Sequence, residues 1–189
     1  HNPAQYNGIK LCRAGAAPVG QATGLADIKQ MIIDGWQSDY KGPRGTSSKR
    51  NVATEYAAYM RKLVDISNIR PLKVVVDAGN GMGGFTVPIV LEGLPLEVIP
   101  MYFDLDGTFP NHEANPIDPE NLRDLQAAVV KHQADLGLAF DGDADRCFVV
   151  DEQGAIVSPS ILTALIAERE LQKNPGATVI HNLITSWAV

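Results

Sequence analysis

The chain has 189 residues, 45% hydrophobic and 20% charged, which suits a soluble globular protein of one or two domains. Its net charge of -6 and pI of about 5.1 argue against a general binder of nucleic acid or anionic membrane. No apolar run approaches the roughly 18 residues that span a bilayer, and no signal-peptide pattern is present.

"HNPAQYNGIK" opens the chain without an initiator Met, and "ATVIHNLITSWAV" stops on an apolar run, so a piece of a longer protein is expected. "YNGIKLCRAG" carries a turn signal and then a short strand. "TGLADIKQMIIDGW" sets Leu25, Ile28, Met31 and Ile32 at helical spacing, with Gly35 as a stop. "YKGPRGTSSKR" reads as a linker and marks the first domain boundary, its Lys41, Arg44, Lys49 and Arg50 being solvated. "NVATEYAAYMRKLVDI" follows as an amphipathic helix.

From Pro71 strands alternate with helices. "LKVVVD" is a buried strand, "AGNGMGG" a glycine turn, "FTVPIVLEGL" a helix and "LEVIPMYF" a strand. A long polar loop leads to the helix "PENLRDLQAAVVKHQ", whose Pro119 and Glu120 suit a first turn. "DLGLAF" and "CFVV" read as strands on either side of "DGDADR", "SPSILTALIAERELQKN" as a helix and "ATVIHNLI" as a strand. The fold class is therefore α/β, with a mixed, largely parallel sheet and flanking helices. Functional loops in such folds collect at the carboxyl ends of strands, where both "DAGNGMGG" and "DGDADR" lie. Cys12 and Cys147 occupy strand-like contexts and read as buried free thiols, which fits a reducing cytoplasm.

"DGDADR" packs Asp141, Asp143 and Asp145 into five positions. In an extended or loosely turned loop alternate side chains point the same way, so the three carboxylates can converge on one centre. Hard oxygen donors suit Mg²⁺ or Ca²⁺ rather than Zn²⁺, and a divalent ion relieves their repulsion. Arg146 adds a fixed cation able to bind a phosphate. A calcium-binding module is one alternative, since Glu152 completes EF-hand spacing, but Arg146 stands where that loop needs glycine. An NAD-binding oxidoreductase is another, from Gly79, Gly81 and Gly84 of "GNGMGG". Against it, Pro88 interrupts the following helix, and Asp104 is the nearest offer of a strand-end acid. The glycines read better as a tight turn that another loop approaches. In "FPNHEANP", His112 reads as a structural hydrogen bonder beside Glu113.

Taken together, "HNPAQYNGIK", "DAGNGMGG", "FPNHEANP" and "FDGDADR" closely resemble the α-D-phosphohexomutases, the phosphomannomutase/phosphoglucomutase group, over essentially the whole chain. The resemblance implies repeated α/β domains around a cleft: residues 1–47 as the end of the first, 48–154 as the second with the metal loop, and 155–189 as the start of the third. It implies interconversion of hexose 1-phosphate and hexose 6-phosphate, of mannose or glucose, through an enzyme phosphoserine and a hexose bisphosphate that serves as intermediate and activator. By the same resemblance Asp141, Asp143 and Asp145 are Mg²⁺ ligands and Arg146 cradles phosphate. Lys10 is the general acid/base or electrostatic partner, and His1 is a supporting donor directly after the phosphoserine. The implied partner is a phosphosugar, with no nucleic acid and no membrane, and residues 1–189 alone are expected to be inactive. "NLITSWAV" departs from the family by carrying Ile184 and Trp187 where basic substrate contacts are often found.

Overall fold

The structure, a computed structural model, describes residues 5–66 and 68–187. The chain divides into two compact units between Asn51 and Val52. In the first, the expected strand after "YNGIK" is reduced to a single antiparallel bridge between Cys12 and Pro18. The chain turns back at once through Ala14–Ala16, with Gly15 at φ 72° and the Arg13 N–H on the Ala17 carbonyl at 2.8 Å, so no ladder can lengthen. Helix α1, Leu25–Ile33, forms as expected, bounded by Gly24 at φ 134° and Gly35 at φ 69°. From Trp36 to Asn51 the chain has no helix or strand.

The second unit is built on a five-stranded sheet. Its strands are β1 (Leu72–Asp77), β2 (Leu96–Met101), β3 (Leu136–Phe140), β4 (Cys147–Asp151) and β5 (Ile156–Val157), in the order β2-β1-β3-β4-β5. β1 pairs in parallel with β2 and β3, while β3–β4 and β4–β5 are antiparallel, so the sheet is mixed. The valine run of β1 is continuous because both faces of the sheet are covered. Val75 packs with Leu122, Leu125 and Val129 of the α4 side (α4, Arg123–His132), whereas Val74 and Val76 pack with Val87 of α3 (Gly83–Leu91). Gly137 of β3 lets α4 lie close, since a Cβ there would meet Val129 Cγ2 at 2.7 Å. Helix α2 (Ala53–Leu63) reaches α3 through Arg61, whose Nε donates to the Val90 carbonyl at 3.0 Å and whose Nη2 also meets the carbonyls of Ile89 and Glu92. A cation on the last carbonyls of a helix satisfies acceptors the helix itself leaves open.

Two further expectations fail for identifiable reasons. Helix α5, Pro159–Lys173, is present with Ser158 capping it, but "ATVIHNLI" is not a strand: none of the described strands runs beside it to pair. Ile180, Leu183, Ile184 and Trp187 are fully exposed or nearly so. Both cysteines are free thiols, yet exposed rather than buried. Cys12 lies on a one-pair bridge, and Cys147 is the first residue of β4, where the sheet ends. Among the described residues no helix is long and apolar enough to cross a membrane.

Candidate metal centre

Asp141 follows directly on the last residue of β3, and Arg146 directly precedes β4, so "DGDADR" is the connection of a hairpin held at both ends by strands. The Ala144 N–H closes a turn onto the Asp141 carbonyl at 3.0 Å, with Ala144 at φ 58°, and the Arg146 N–H reaches Asp141 Oδ1 at 3.1 Å. The carboxylates converge because the loop curls, not because alternate side chains of an extended segment face one way. One oxygen each from Asp141, Asp143 and Asp145 lies within 4.8 Å of the others. Asp141 is fully buried, Asp143 and Asp145 are exposed, and the Arg146 guanidinium bonds Asp141 Oδ2 through Nε at 2.6 Å and stands 3.6 Å from Asp145 Oδ1.

This donor set suits a small hard cation. An octahedral Mg²⁺ shell with bonds of about 2.1 Å places its oxygens about 3.0 to 4.2 Å apart, a separation that rotation of two exposed carboxylates can reach from the observed cluster. All three donors are oxygens, and among the described residues no ring nitrogen or thiol belongs to the cluster.

The glycine turn after β1 is shaped around this loop. Gly79 and Asn80 have φ of 51° and 60°, and the Met82 N–H donates to the Gly142 carbonyl at 3.0 Å. A Cβ on Gly81 would stand 2.7 Å from that same carbonyl oxygen, so Gly81 is glycine because the metal loop lies against it. Gly84 is similarly crowded, with the Phe103 carbonyl oxygen 2.1 Å from where its Cβ would be. The close approach that a dinucleotide fingerprint gives to a pyrophosphate is here given to protein backbone.

The "FPNHEANP" loop supplies a third strand of this stitching. The Gly142 N–H donates to the Ala114 carbonyl at 3.2 Å. Two residues before it, His112 Nε2 meets Asp77 Oδ2 at 2.9 Å, and Nδ1 faces the Glu113 carbonyl at 2.9 Å. Asp77, the last residue of β1, is buried and also accepts from the Gly79 N–H at 2.8 Å. Both ring nitrogens of His112 face acceptors, so the imidazolium, a donor at both ends, satisfies the site best. The Asp77 hydrogen bond accordingly raises the His112 pKa above its ordinary value, partly offset by burial. Tyr102 stacks its edge on the ring at 5.3 Å, and its own hydroxyl donates to Asp124 at 2.7 Å, which pushes the phenol up to about 12. His112 is thus the hydrogen bonder the sequence suggested. Asp77 was not singled out, although an acid ending a buried valine run is a signal for it.

Lys10 is an exposed residue of the first unit, and His1 lies outside the described residues. Lys41, Arg44, Lys49 and Arg50 are exposed, as is Trp187.

The family model for phosphoglucomutase/phosphomannomutase, alpha/beta/alpha domain II, matches residues 54–154. A phosphomannomutase of Escherichia coli K12 is 39% identical over 193 residues, which take in 99% of this chain and 42% of that protein. A relative from Xanthomonas campestris described as "phosphohexose mutases" is 38% identical over 187 residues, covering 99% of this chain and 42% of the relative. A crystal structure of a phosphoglucomutase/phosphomannomutase family protein from Burkholderia thailandensis superposes with a TM-score of 0.80 at 38% identity, over 94% of this chain and 37% of that one. The chain therefore spans about two-fifths of the length of the curated relatives it matches. No nicotinamide oxidoreductase and no calcium-binding module is among these relatives.

Proposed function

The chain belongs to the phosphoglucomutase/phosphomannomutase family, and from that premise we propose that the protein carrying it is a phosphohexomutase. It interconverts hexose 1-phosphate and hexose 6-phosphate, of mannose, of glucose or of both, through an enzyme phosphoserine and a bisphosphorylated sugar. The carrying observation is the convergence of Asp141, Asp143 and Asp145 within 4.8 Å, beside Arg146, inside the span matched by the family model. In this reading residues 1–47 end a first domain, 48–154 form the second and 155–189 open a third; the match over 54–154 supports the middle span.

Mg²⁺ held by one oxygen from each of the three aspartates would supply Lewis-acid stabilisation of charge on the transferring phosphoryl group. Arg146 is fixed to Asp141 through Nε, and its planar guanidinium is the group to take a phosphoryl oxygen. Lys10 moves a proton at the reacting sugar hydroxyl or stabilises charge there, and His1 donates a supporting hydrogen bond. The phosphoserine is the residue directly before His1. A hexose bisphosphate activates because it returns a phosphoryl group to a bare serine. In this reading the protein works in the cytoplasm.

The test is tandem mass spectrometry on the peptide that joins His1 to its predecessor, taken from the protein as purified. A phosphorylated serine is expected there, with its phosphate passing into hexose phosphate on incubation with substrate. A predecessor that is neither Ser nor Thr rules the mechanism out.

A further inference from the structure

We propose that His112 is a positioning residue for the metal loop: its ring, held between Asp77 Oδ2 and the Glu113 carbonyl, fixes the stretch whose Ala114 carbonyl anchors Gly142 between Asp141 and Asp143. The inference rests on the metal reading above and extends it to a residue some 30 positions away in the chain that touches none of the three carboxylates.

The geometry is a short relay. Asp77 is 1% exposed and rigid at the end of the central strand, and it holds His112 Nε2 at 2.9 Å and the Gly79 N–H at 2.8 Å. His112 in turn sets Glu113, and the next residue, Ala114, is 2% exposed and accepts from the Gly142 N–H at 3.2 Å. From the other side the Met82 N–H holds the Gly142 carbonyl at 3.0 Å. Gly142 is therefore gripped at both its N–H and its carbonyl, and its two neighbours in sequence are metal-loop aspartates. Asn111 adds a tie to the glycine turn through Asn80 Oδ1 at 2.7 Å. Loss of the ring frees the 112–114 stretch and with it one of the two grips. Asp141 stays buried on Arg146 either way, so the effect falls on how Asp143 is presented.

The charged and titratable groups that face the ring are Asp77 from β1, Tyr102 from the end of β2 and Asp124 of α4 through the Tyr102 hydroxyl, while Glu113 on its own loop meets the ring through its backbone carbonyl. All the acids favour the imidazolium. With the His112 pKa raised from 6.5, both ring hydrogen bonds are present below about pH 6.5, and as pH rises through the folded value the ring keeps its N–H to Asp77 and loses the one to the Glu113 carbonyl, which loosens the positioning. Ordinary carboxylates titrate near pH 4, so a loss of metal affinity on the alkaline side does not come from them.

The experiment is calorimetric titration of Mg²⁺ into the full chain, for wild type, His112→Ala, His112→Gln and Arg61→Ala, from pH 6 to pH 9. His112→Ala is expected to weaken Mg²⁺ binding by about tenfold at pH 6.5, the lower end of what lost support of a ligand costs. His112→Gln, which can still donate to Asp77, recovers most of that and shows no alkaline fall, whereas wild type weakens as pH rises. Arg61→Ala loosens α2 from α3 and leaves affinity unchanged. Equal Mg²⁺ affinity in His112→Ala and wild type overturns the positioning alone, as does an equal loss in Arg61→Ala. No Mg²⁺ binding by wild type overturns the metal reading and the positioning with it.

Discussion

Asp143→Asn is expected to lower mutase turnover of the protein carrying this chain by about a hundredfold to a thousandfold, with its unfolding midpoint nearly unchanged. Metal stabilisation of a transferring phosphoryl group amounts to several kcal/mol, and about 1.4 kcal/mol is tenfold in rate. An amide oxygen in place of one of three carboxylates weakens the cation's hold and removes one negative charge from its shell. Folding should not suffer, because Asp143 is exposed and its removal takes one like charge out of a crowded cluster. Asp141→Asn separates the two effects. Asp141 is fully buried and accepts from the Arg146 N–H at 3.1 Å and Nε at 2.6 Å. That substitution should cost activity and also about 1–3 kcal/mol of stability, since the buried end of the Arg146 contact loses its charge while the guanidinium stays only partly exposed. Steady-state rates alongside urea unfolding curves distinguish the two. Turnover of Asp143→Asn within threefold of wild type would remove it from the site.

Gly81→Ala should be strongly damaging although it touches no charge. Its Cβ would meet the Gly142 carbonyl oxygen at 2.7 Å and Gly142 Cα at 2.9 Å, both backbone atoms that cannot rotate away. Overpacking of this kind costs about 1–3 kcal/mol, and the strain is relieved only by moving the metal loop or the start of α3. Stability and Mg²⁺ affinity should fall together. Gly107→Ala is the control, because nothing lies within 4 Å of its Cβ position and its backbone is not left-handed. Urea midpoints for the two variants decide the matter: equal values would mean that the two loops are not in the contact described.

The parts of this architecture that sequence revealed are those written in local pattern. The valines of β1 and the apolar spacing of α4 are set by neighbours two to four residues apart, and both elements form where expected. The crowding of three carboxylates needs no partner element to be noticed. The failures share a different cause. "ATVIHNLI" has a strand's composition, but a strand exists only against a partner, and composition does not say whether one is there. β5 has two residues, too few for any period to show. The Asp77–His112 pair joins residues 35 positions apart, and no spacing rule links them. The curl of the metal loop depends on Ala144 adopting φ 58°, a conformation its residue type does not favour. The glycines of the turn were legible as a close approach, yet what approached them became clear only when Gly142 was in place.

The most direct measurement is conversion of glucose 1-phosphate and mannose 1-phosphate to the 6-phosphates by the protein carrying this chain, followed by phosphorus NMR with a trace of hexose bisphosphate. A Mg²⁺-dependent phosphohexomutase converts at least one of the two, stops when the metal is chelated and resumes when Mg²⁺ is restored. Conversion of neither sugar phosphate, or conversion that chelation leaves unchanged, contradicts the proposed function and the metal centre on which it rests.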